Sequence, residues 1–147
     1  MEIAVRPATE DDLPALLDLY AELHPADSRP ATHTALQVWR AIEAQSGRTI
    51  FVAQAASTVA GTVDCTVLPN LTRATRPFML VENVVVSGGY RRAGVGSALI
   101  EAAVRMARQA GCYKVQLLSR AERDAAHAFY EALGFRAVAQ GYRLYFD

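Results

Sequence analysis

The hydrophobic and polar positions of the chain change repeatedly between a helical and an extended period. From residue 13 to residue 23 the apolar side chains recur three and four residues apart and predict a helical face, at Leu13, Leu16, Leu17 and Tyr20. Thr9 and Asp12 have the spacing of a capping box and predict the beginning of this helix. A second face predicts another helix before Gly47, at Leu36, Trp39 and Ile42.

Other segments have the alternating or continuously apolar pattern of strands, and they are residues 2–5, 49–55, 59–67, 78–86, 114–118 and 137–146. The last of them is interrupted at Gly141. The period returns to 3.6 residues at Val95 and predicts a helix that Gly111 closes, and a further helix is predicted at 125–133. Helices and strands are mixed without a simple strand–helix–strand repetition. The order therefore predicts an α+β fold with helices on the faces of a sheet.

The chain has 147 residues, of which 52% are hydrophobic and 20% charged, which predicts a single domain over residues 1–147. No signal peptide is recognised at the beginning, and no apolar stretch approaches the roughly 18 residues of a membrane span. Cys65 and Cys112 stand far apart, and no histidine has metal-ligand spacing to them. We therefore expect a cytoplasmic protein with no disulfide framework, no metal site and no membrane partner.

The 15 basic and 15 acidic side chains cancel, which argues against a chain that coats nucleic acid or an anionic membrane. The charges are nevertheless unevenly distributed. Residues 1–67 carry four basic and nine acidic side chains, a net charge of −5, and residues 68–123 carry nine basic and three acidic ones, a net charge of +6. Either surface charges cluster by chance, or the middle of the chain binds a small anion.

The glycine-rich segment SGGYRRAGVGS, residues 87–97, favours the second interpretation, and we call it the anion loop. It joins the predicted strand 78–86 to the predicted helix at Val95. Glycine lets the backbone approach a ligand closely, and the first N–H groups of a helix have no intrahelical partner. Such a turn binds phosphate, and Arg91 and Arg92 add charge to it. The alternative is a plain helix cap, and the loop matches neither a P-loop nor the dinucleotide fingerprint.

Residues 91–96, Arg-Arg-Ala-Gly-Val-Gly, resemble the Arg/Gln-x-x-Gly-x-Gly/Ala motif of the GCN5-related N-acetyltransferase (GNAT) family. Residues 84–86 and 126–135 resemble its central strand and its C-terminal helix, and residues 6–13 its first strand and helix. The similarity covers nearly all of the chain in the expected order. It implies a three-layer α/β/α fold with about four helices and a mixed, mostly antiparallel sheet of roughly six to seven strands, splayed at the central strand 78–86.

The resemblance implies acetyl-CoA as a co-substrate whose acetyl group passes directly to an amine in a ternary complex. In the family the pyrophosphate lies on backbone N–H groups, here those of Arg91, Arg92, Ala93, Gly94, Val95, Gly96 and Ser97. The pantetheine arm pairs with the central strand, here at Val84, Val85 and Val86. Arg123 and Tyr130 are the other expected donor contacts. Many relatives have an asparagine at the position of Arg123, and Gly88-Gly89 replaces a proline and a polar residue, which predicts a looser turn.

Three residues are candidates for the chemistry. Glu82 shares a strand with Val84 and Val86, and period two predicts that all three lie on one face. Because burying a carboxylate is costly, we interpret Glu82 as the base for the amine, acting directly or through water; the alternative is an acid paired with an arginine. The Val84 N–H is the candidate donor to the oxyanion. Tyr130 resembles the tyrosine that protonates the leaving CoA thiolate, with packing beside Phe129 as the alternative.

Other polar residues give weaker indications. Cys65 has no histidine partner in sight, so an acyl-enzyme is not expected, and His127 is interpreted as a structural or surface residue. The weak candidates for the acceptor side are His24, His33, Trp39, Arg73 and Arg76.

The sequence leaves the acceptor amine open. Residues 123–130 look similar to small-molecule amine acetyltransferases, including aminoalkylphosphonate and aminoglycoside types. Arg73 and Arg76 favour an amine with an acidic group, whereas the acidic first part of the chain favours a polycation. Acetylation of protein N-termini or lysines, and a non-catalytic acyl-CoA-binding module, are the alternatives. Many relatives form homodimers, and the apolar segment 142–146 is a candidate for such an interface or for the core.

Overall fold

The computed structural model describes residues 2–119 and 124–147. The chain divides into two compact units, Met1–Gln116 and Leu117–Asp147. The first unit contains one sheet of five strands in the order of the chain, which are β1 (Ile3–Pro7), β2 (Arg48–Ala55), β3 (Thr58–Leu68), β4 (Phe78–Val86) and β5 (Val115–Gln116). Neighbouring strands from β1 to β4 are antiparallel, and β5 is parallel to β4. The predicted α+β class with a mixed, mostly antiparallel sheet is confirmed.

The helices of the first unit are α1 (Leu13–Leu23), α2 (Thr32–Glu43), the single turn α3 (Thr72–Thr75) and α4 (Val95–Gln109). The turn α3 is left-handed, with φ values of 53°, 57° and 63° at Arg73, Ala74 and Thr75. One face of the sheet packs against α1 and α2 through a cluster of buried side chains, Leu16, Trp39, Ile50 and Val52. The other face packs against α4 so closely that a Cβ on Gly61 would lie 3.0 Å from the side chains of Val95 and Leu99. Helices therefore cover both faces of the sheet.

The 3-10 turn Glu10–Asp12, which directly precedes α1, confirms the predicted capping box at Thr9. The Asp12 carboxylate accepts the Thr9 N–H at 2.7 Å and both Nη atoms of Arg6 at 2.7 and 2.9 Å. The hydrogen bond from Arg6 is the main reason that the pKa of the Asp12 carboxyl is lower than its ordinary value. This bidentate pair ties β1 to the beginning of α1.

The predicted number of six to seven strands is wrong for the described residues, which contain five strands and five helices, counting α3 and α5 (Asp124–Ala132). Residues 137–146 form no strand, although their apolar pattern predicts one. A strand requires a neighbour for its N–H and C=O groups, and within the described residues this segment has none. The predicted strand 114–118 is shorter than expected, because only Val115 and Gln116 pair with β4.

Candidate functional site

A β-bulge interrupts β4 in the middle of the proposed site. The register pairs Glu82 with Asp64 and Val85 with Thr62, so Asn83 and Val84 lie opposite a single residue of β3. Asn83 has a left-handed φ of 51°, a conformation that asparagine adopts more readily than most residues. A bulge bends its strand and changes the direction of its backbone groups. The Val84 N–H, the candidate oxyanion donor, therefore lies where the regular ladder is broken.

The bulge also corrects the prediction that Glu82, Val84 and Val86 share one face. Val86 pairs with Gly61 and Glu82 pairs with Asp64, and these two partners point to opposite faces of β3 because they are three residues apart. Glu82 therefore lies on the face of α1 and α2, whereas Val86 lies on the face of α4. The extra residue in β4 reverses the alternation between them.

The edge of β4 opposite β3 is open along the second half of the strand. β5 pairs only with Met79 and Leu80, and beyond them this edge meets no other strand of residues 2–119 and 124–147. The free N–H and C=O groups of a strand edge bind an extended chain that carries amides. Val84, Val85 and Val86 lie in this open part, so the structure brings together the predicted edge and the bulge.

The anion loop follows directly and has the geometry of a phosphate site. Arg92 and Gly94 have positive φ values of 64° and 87°. Gly94 is the N-cap of α4, and the first hydrogen bond of the helix runs from the Ala98 N–H to the Gly94 carbonyl at 3.1 Å. The N–H groups of residues 95–97 precede this bond, and the glycine cap has no side chain to satisfy them. Arg91 and Arg92 are exposed beside this helix start.

Glu82 is exposed, so the expectation that it is a buried carboxylate is wrong. Its cross-strand neighbour Asp64 is the buried one: it is 3% exposed and accepts hydrogen bonds from Arg48 Nε at 3.0 Å and Nη2 at 2.6 Å. Burial, assisted by the negative charge of Asp64, raises the pKa of nearby Tyr20 to about 12. Exposure makes Glu82 accessible to an amine, while Asp64 is paired with the Arg48 guanidinium.

Sequence reasoning did not find this polar cluster, in which the buried Thr62 and Asp64 lie beside the half-buried Tyr20 and Arg48. The signal was present, because the argument that selected Glu82 (a carboxylate within an apolar strand) applies equally to Asp64 in β3. The arginine partner of Asp64 could be identified only from the strand register, since Arg48 precedes it by 16 residues.

A basic and aromatic cluster lies beside the beginning of β4. The Arg73 guanidinium lies 5.3 Å from the centroid of the Tyr113 ring, and Lys114 Nζ lies 5.1 Å from that of Phe78. Arg76 donates to the Cys112 carbonyl at 3.2 Å. The two arginines proposed for an acidic acceptor group are thus close to a third cation, Lys114, that sequence reasoning did not include.

The other acceptor-side candidates are dispersed. Trp39 is 5% exposed and belongs to the core under α1 and α2, so it is a packing residue. His24 caps the end of α1 and His33 lies in the first turn of α2; both are exposed.

Tyr130 lies in the second unit, in the last turn of α5. Its ring meets those of Phe129 and Phe135 edge-on, with centroids 5.1 and 5.8 Å apart. The Phe135 N–H binds the Tyr130 carbonyl at 3.1 Å and Gly134 has a φ of 95°, the features of a Schellman cap. The cap and the two rings hold Tyr130 in a defined position. Arg123, the other predicted donor contact in this part of the chain, lies outside the described residues.

Neither cysteine has the properties of a nucleophile. Burial raises the pKa of the Cys65 thiol to about 12, and burial also raises that of Cys112. Within the described residues no group of three or more His, Cys, Asp or Glu side chains could hold a metal ion. No helix in the described parts of the chain is long and apolar enough to cross a membrane.

Comparison with known proteins gives consistent matches. Residues 13–135 match the acetyltransferase (GNAT) family. A glucosamine 6-phosphate N-acetyltransferase of Trypanosoma brucei brucei is 32% identical over 146 residues, covering 98% of this chain and 96% of the relative. A solved structure from Agrobacterium tumefaciens is 41% identical, with a TM-score of 0.93 over 97% of this chain and 99% of the other. An aminoglycoside N-acetyltransferase crystallised with CoA shares the fold at 21% identity, with a TM-score of 0.78 over 99% of this chain and 93% of the other.

Proposed function

The chain belongs to the GNAT acetyltransferase family, and on that premise we propose that it transfers an acetyl group from acetyl-CoA directly to a primary amine of a small molecule. This proposal rests on the open edge of β4 and on the helix start to which the strand leads. Its edge is open beyond Leu80 within the described residues, and the strand then leads into the helix start at Gly94, whose N–H groups have no side-chain cap. A pantetheine arm followed by a pyrophosphate fits these two features in this order.

We assign the binding of the donor, acetyl-CoA, to residues of β4 and of the anion loop that follows it. Val84, Val85 and Val86 pair with the amides of the arm. The pyrophosphate accepts hydrogen bonds from the N–H groups of the anion loop, in Arg91, Arg92, Ala93, Gly94, Val95, Gly96 and Ser97. Tyr130 and Arg123 are the proposed donor contacts of the second unit. The family match extends from residue 13 to residue 135 and so includes both units, which supports one acetyltransferase domain over residues 1–147.

The proposed chemistry assigns one role to each candidate group. The exposed Glu82 takes a proton from the ammonium form of the acceptor, directly or through water. The neutral nitrogen then attacks the thioester carbon, and the Val84 N–H stabilises the resulting oxyanion. As the C–S bond breaks, Tyr130 gives its proton to the CoA sulfur. The second proton of the attacking nitrogen then passes through water to the Tyr130 phenolate, which leaves a neutral amide, the CoA thiol and one proton on Glu82. The raised pKa values of Cys65 and Cys112 support direct transfer without an acyl-cysteine.

For the acceptor we propose a phosphorylated amino sugar. The name of the 32% identical relative supports this class, and so does the cluster of Arg73, Arg76 and Lys114 beside the beginning of β4, the strand that also carries Glu82. Arginine binds phosphate oxygens by paired, charge-assisted hydrogen bonds. Aminoglycosides remain the second acceptor class, favoured by the acidic residues of the first 67 positions.

Release of the CoA thiol should be fastest with glucosamine 6-phosphate, with kcat/KM about tenfold or more above that for glucosamine, because a charge-assisted hydrogen bond is worth about 1.5–3 kcal/mol. The double variant Arg73→Gln/Arg76→Gln should lose most of this preference, and the exposed Arg108→Gln at the end of α4 is the control. Equal or greater activity on glucosamine or an aminoglycoside contradicts the proposal that the acceptor is a phosphorylated amino sugar. Turnover of peptide amines alone indicates a protein acetyltransferase, and CoA binding without turnover of any amine indicates a binding module.

We also propose that the chain forms a homodimer through its last residues. Five large apolar or aromatic side chains in this segment are 70–94% exposed, and they are Val138, Tyr142, Leu144, Tyr145 and Phe146. Large apolar side chains that are exposed within one short segment favour an interaction site. Light scattering should give twice the mass of one chain, and Leu144→Asp/Phe146→Asp should give the monomer, with the exposed Arg108→Asp on α4 as the control. A monomer for the unchanged protein at all concentrations contradicts the dimer.

The proposed compartment is the cytoplasm. Cys65 and Cys112 are both unpaired thiols, as proteins of a reducing compartment contain. The net charge of zero supports small-molecule partners instead of nucleic acid or an anionic membrane.

A further inference from the structure

Glu22, in the last turn of α1, holds the beginning of the anion loop. Its Oε1 accepts a hydrogen bond from the Gly88 N–H and its Oε2 accepts one from Ser87 Oγ, both at 3.0 Å. These bonds join residues 65 and 66 positions apart in the chain. One carboxylate therefore fixes two consecutive residues at the point where the chain leaves β4.

The turn that Glu22 holds has little rigidity of its own. Gly88 and Gly89 are adjacent, and glycine has more backbone freedom to lose than any other residue. A Cβ on Gly89 would meet no atom within 4 Å, so packing does not restrain this position. Backbone bonds from the Ser87 N–H to the Ala60 carbonyl, at 2.8 Å, and from the Tyr90 N–H to the Ser87 carbonyl, at 2.9 Å, anchor the two ends. The Gly88 N–H between them is held by Glu22.

Simple electrostatics disfavours a glutamate at this position. A carboxylate in the last turn of a helix faces the negative end of the helix dipole. It also lies beside a loop that, under the proposed function, binds a diphosphate, and like charges repel. The two hydrogen bonds to Ser87 and Gly88 are the favourable interactions that offset these two electrostatic repulsions.

We propose that Glu22 is a positioning residue for the donor. By ordering Ser87 and Gly88 before the ligand arrives, it reduces the entropy that the anion loop loses when it closes on the pyrophosphate. This inference rests on the proposed function, because it takes the anion loop as the CoA site. Glu22 then affects the binding of acetyl-CoA and leaves the chemical step unchanged.

The test compares two substitutions of Glu22 in the full chain. Glu22→Ala removes both bonds and should raise the KM for acetyl-CoA and the Kd for CoA about fivefold, with kcat and the KM for the amine unchanged. Glu22→Gln should stay close to the unchanged protein, because its amide oxygen accepts the Gly88 N–H and its amide nitrogen donates to Ser87 Oγ. Glu43→Ala, at the end of α2, is the matched control for loss of an exposed glutamate from a helix end.

The sign of the effect separates positioning from repulsion. If the charge of Glu22 dominates, Glu22→Ala binds CoA more tightly, and the inference is overturned; an unchanged Kd overturns it as well. Ser87→Ala removes one of the two bonds from the loop side and should weaken CoA binding by a smaller factor. Hydrogen exchange gives an independent readout, since the Gly88 amide should exchange faster in Glu22→Ala and not in Glu22→Gln. If the unchanged chain binds no CoA in calorimetry, the proposed function fails and this inference with it.

Discussion

Glu82→Gln should lower kcat for amine acetylation by about 10²–10⁴-fold and leave the KM for acetyl-CoA within about twofold. Glutamine has nearly the size of glutamate but cannot accept a proton from the ammonium group of the acceptor. Because Glu82 is exposed, the substitution leaves no buried group without a partner, and the bulge at Asn83 stays intact. The expected decrease in kcat therefore reflects a slower chemical step. Steady-state release of CoA at saturating acetyl-CoA measures it.

The pH profile distinguishes a lost base from a general defect. Without Glu82, turnover depends on the fraction of amine that is already neutral, and this fraction rises about tenfold per pH unit below the amine pKa. The kcat/KM of Glu82→Gln should therefore rise with pH more steeply than that of the unchanged protein. Glu101→Gln, an exposed glutamate on α4, should match the unchanged protein in both respects. A variant with unchanged kcat and an unchanged profile excludes Glu82 as the base.

Much of the framework that supports this site could be predicted from local pattern. The local pattern predicts the bounds of the strand at 78–86 and the start of α4 at Val95 to the residue, because the change from a period of two to 3.6 occurs within one short loop. The capping box before α1 was predicted for the same reason, since its two partners are three residues apart. Features that depend on residues close together in the chain can be predicted from a single sequence.

The features that were missed depend on residues far apart in the chain. The bulge at Asn83 is visible only against β3, and an asparagine within a run of valines is at most a weak signal for it. The pairing of Arg48 with Asp64 likewise requires the register of β2 and β3. Both results change the site, because the first separates Glu82 from the face of Val86 and the second shows which carboxylate is buried.

The strand predicted at 137–146 is wrong for a different reason. Alternation at Tyr142, Leu144 and Phe146 predicts a strand, and the prediction treats the pattern as sufficient. A strand also needs a neighbour for its backbone groups, and the described residues supply none. Among the described residues these apolar side chains are exposed, so the alternation is not accompanied by burial. A second copy of the chain is the cover that the proposed dimer supplies.

Two glycines at opposite ends of α4 give a matched test of the anion loop. Gly94, the N-cap, has a φ of 87°, and Gly111, after the end of the helix, has a φ of 77°. A Cβ at Gly94 would have only an ordinary contact at 3.9 Å, and one at Gly111 would meet no atom within 4 Å. Alanine at either position therefore fits the space and opposes only the left-handed backbone, at about 1–2 kcal/mol of unfolding free energy.

Gly94→Ala and Gly111→Ala should thus destabilise the chain by similar amounts in urea denaturation, but only Gly94→Ala should weaken CoA binding, by about tenfold or more. The reason is that the N–H groups of residues 95–97 keep their direction only while Gly94 stays left-handed, and one lost charge-assisted hydrogen bond to the pyrophosphate corresponds to a factor of that size. Calorimetric titration with CoA provides the comparison. Equal binding by the two variants would show that the pyrophosphate does not use the start of α4, and weakened binding by both would show that the loss comes from general destabilisation.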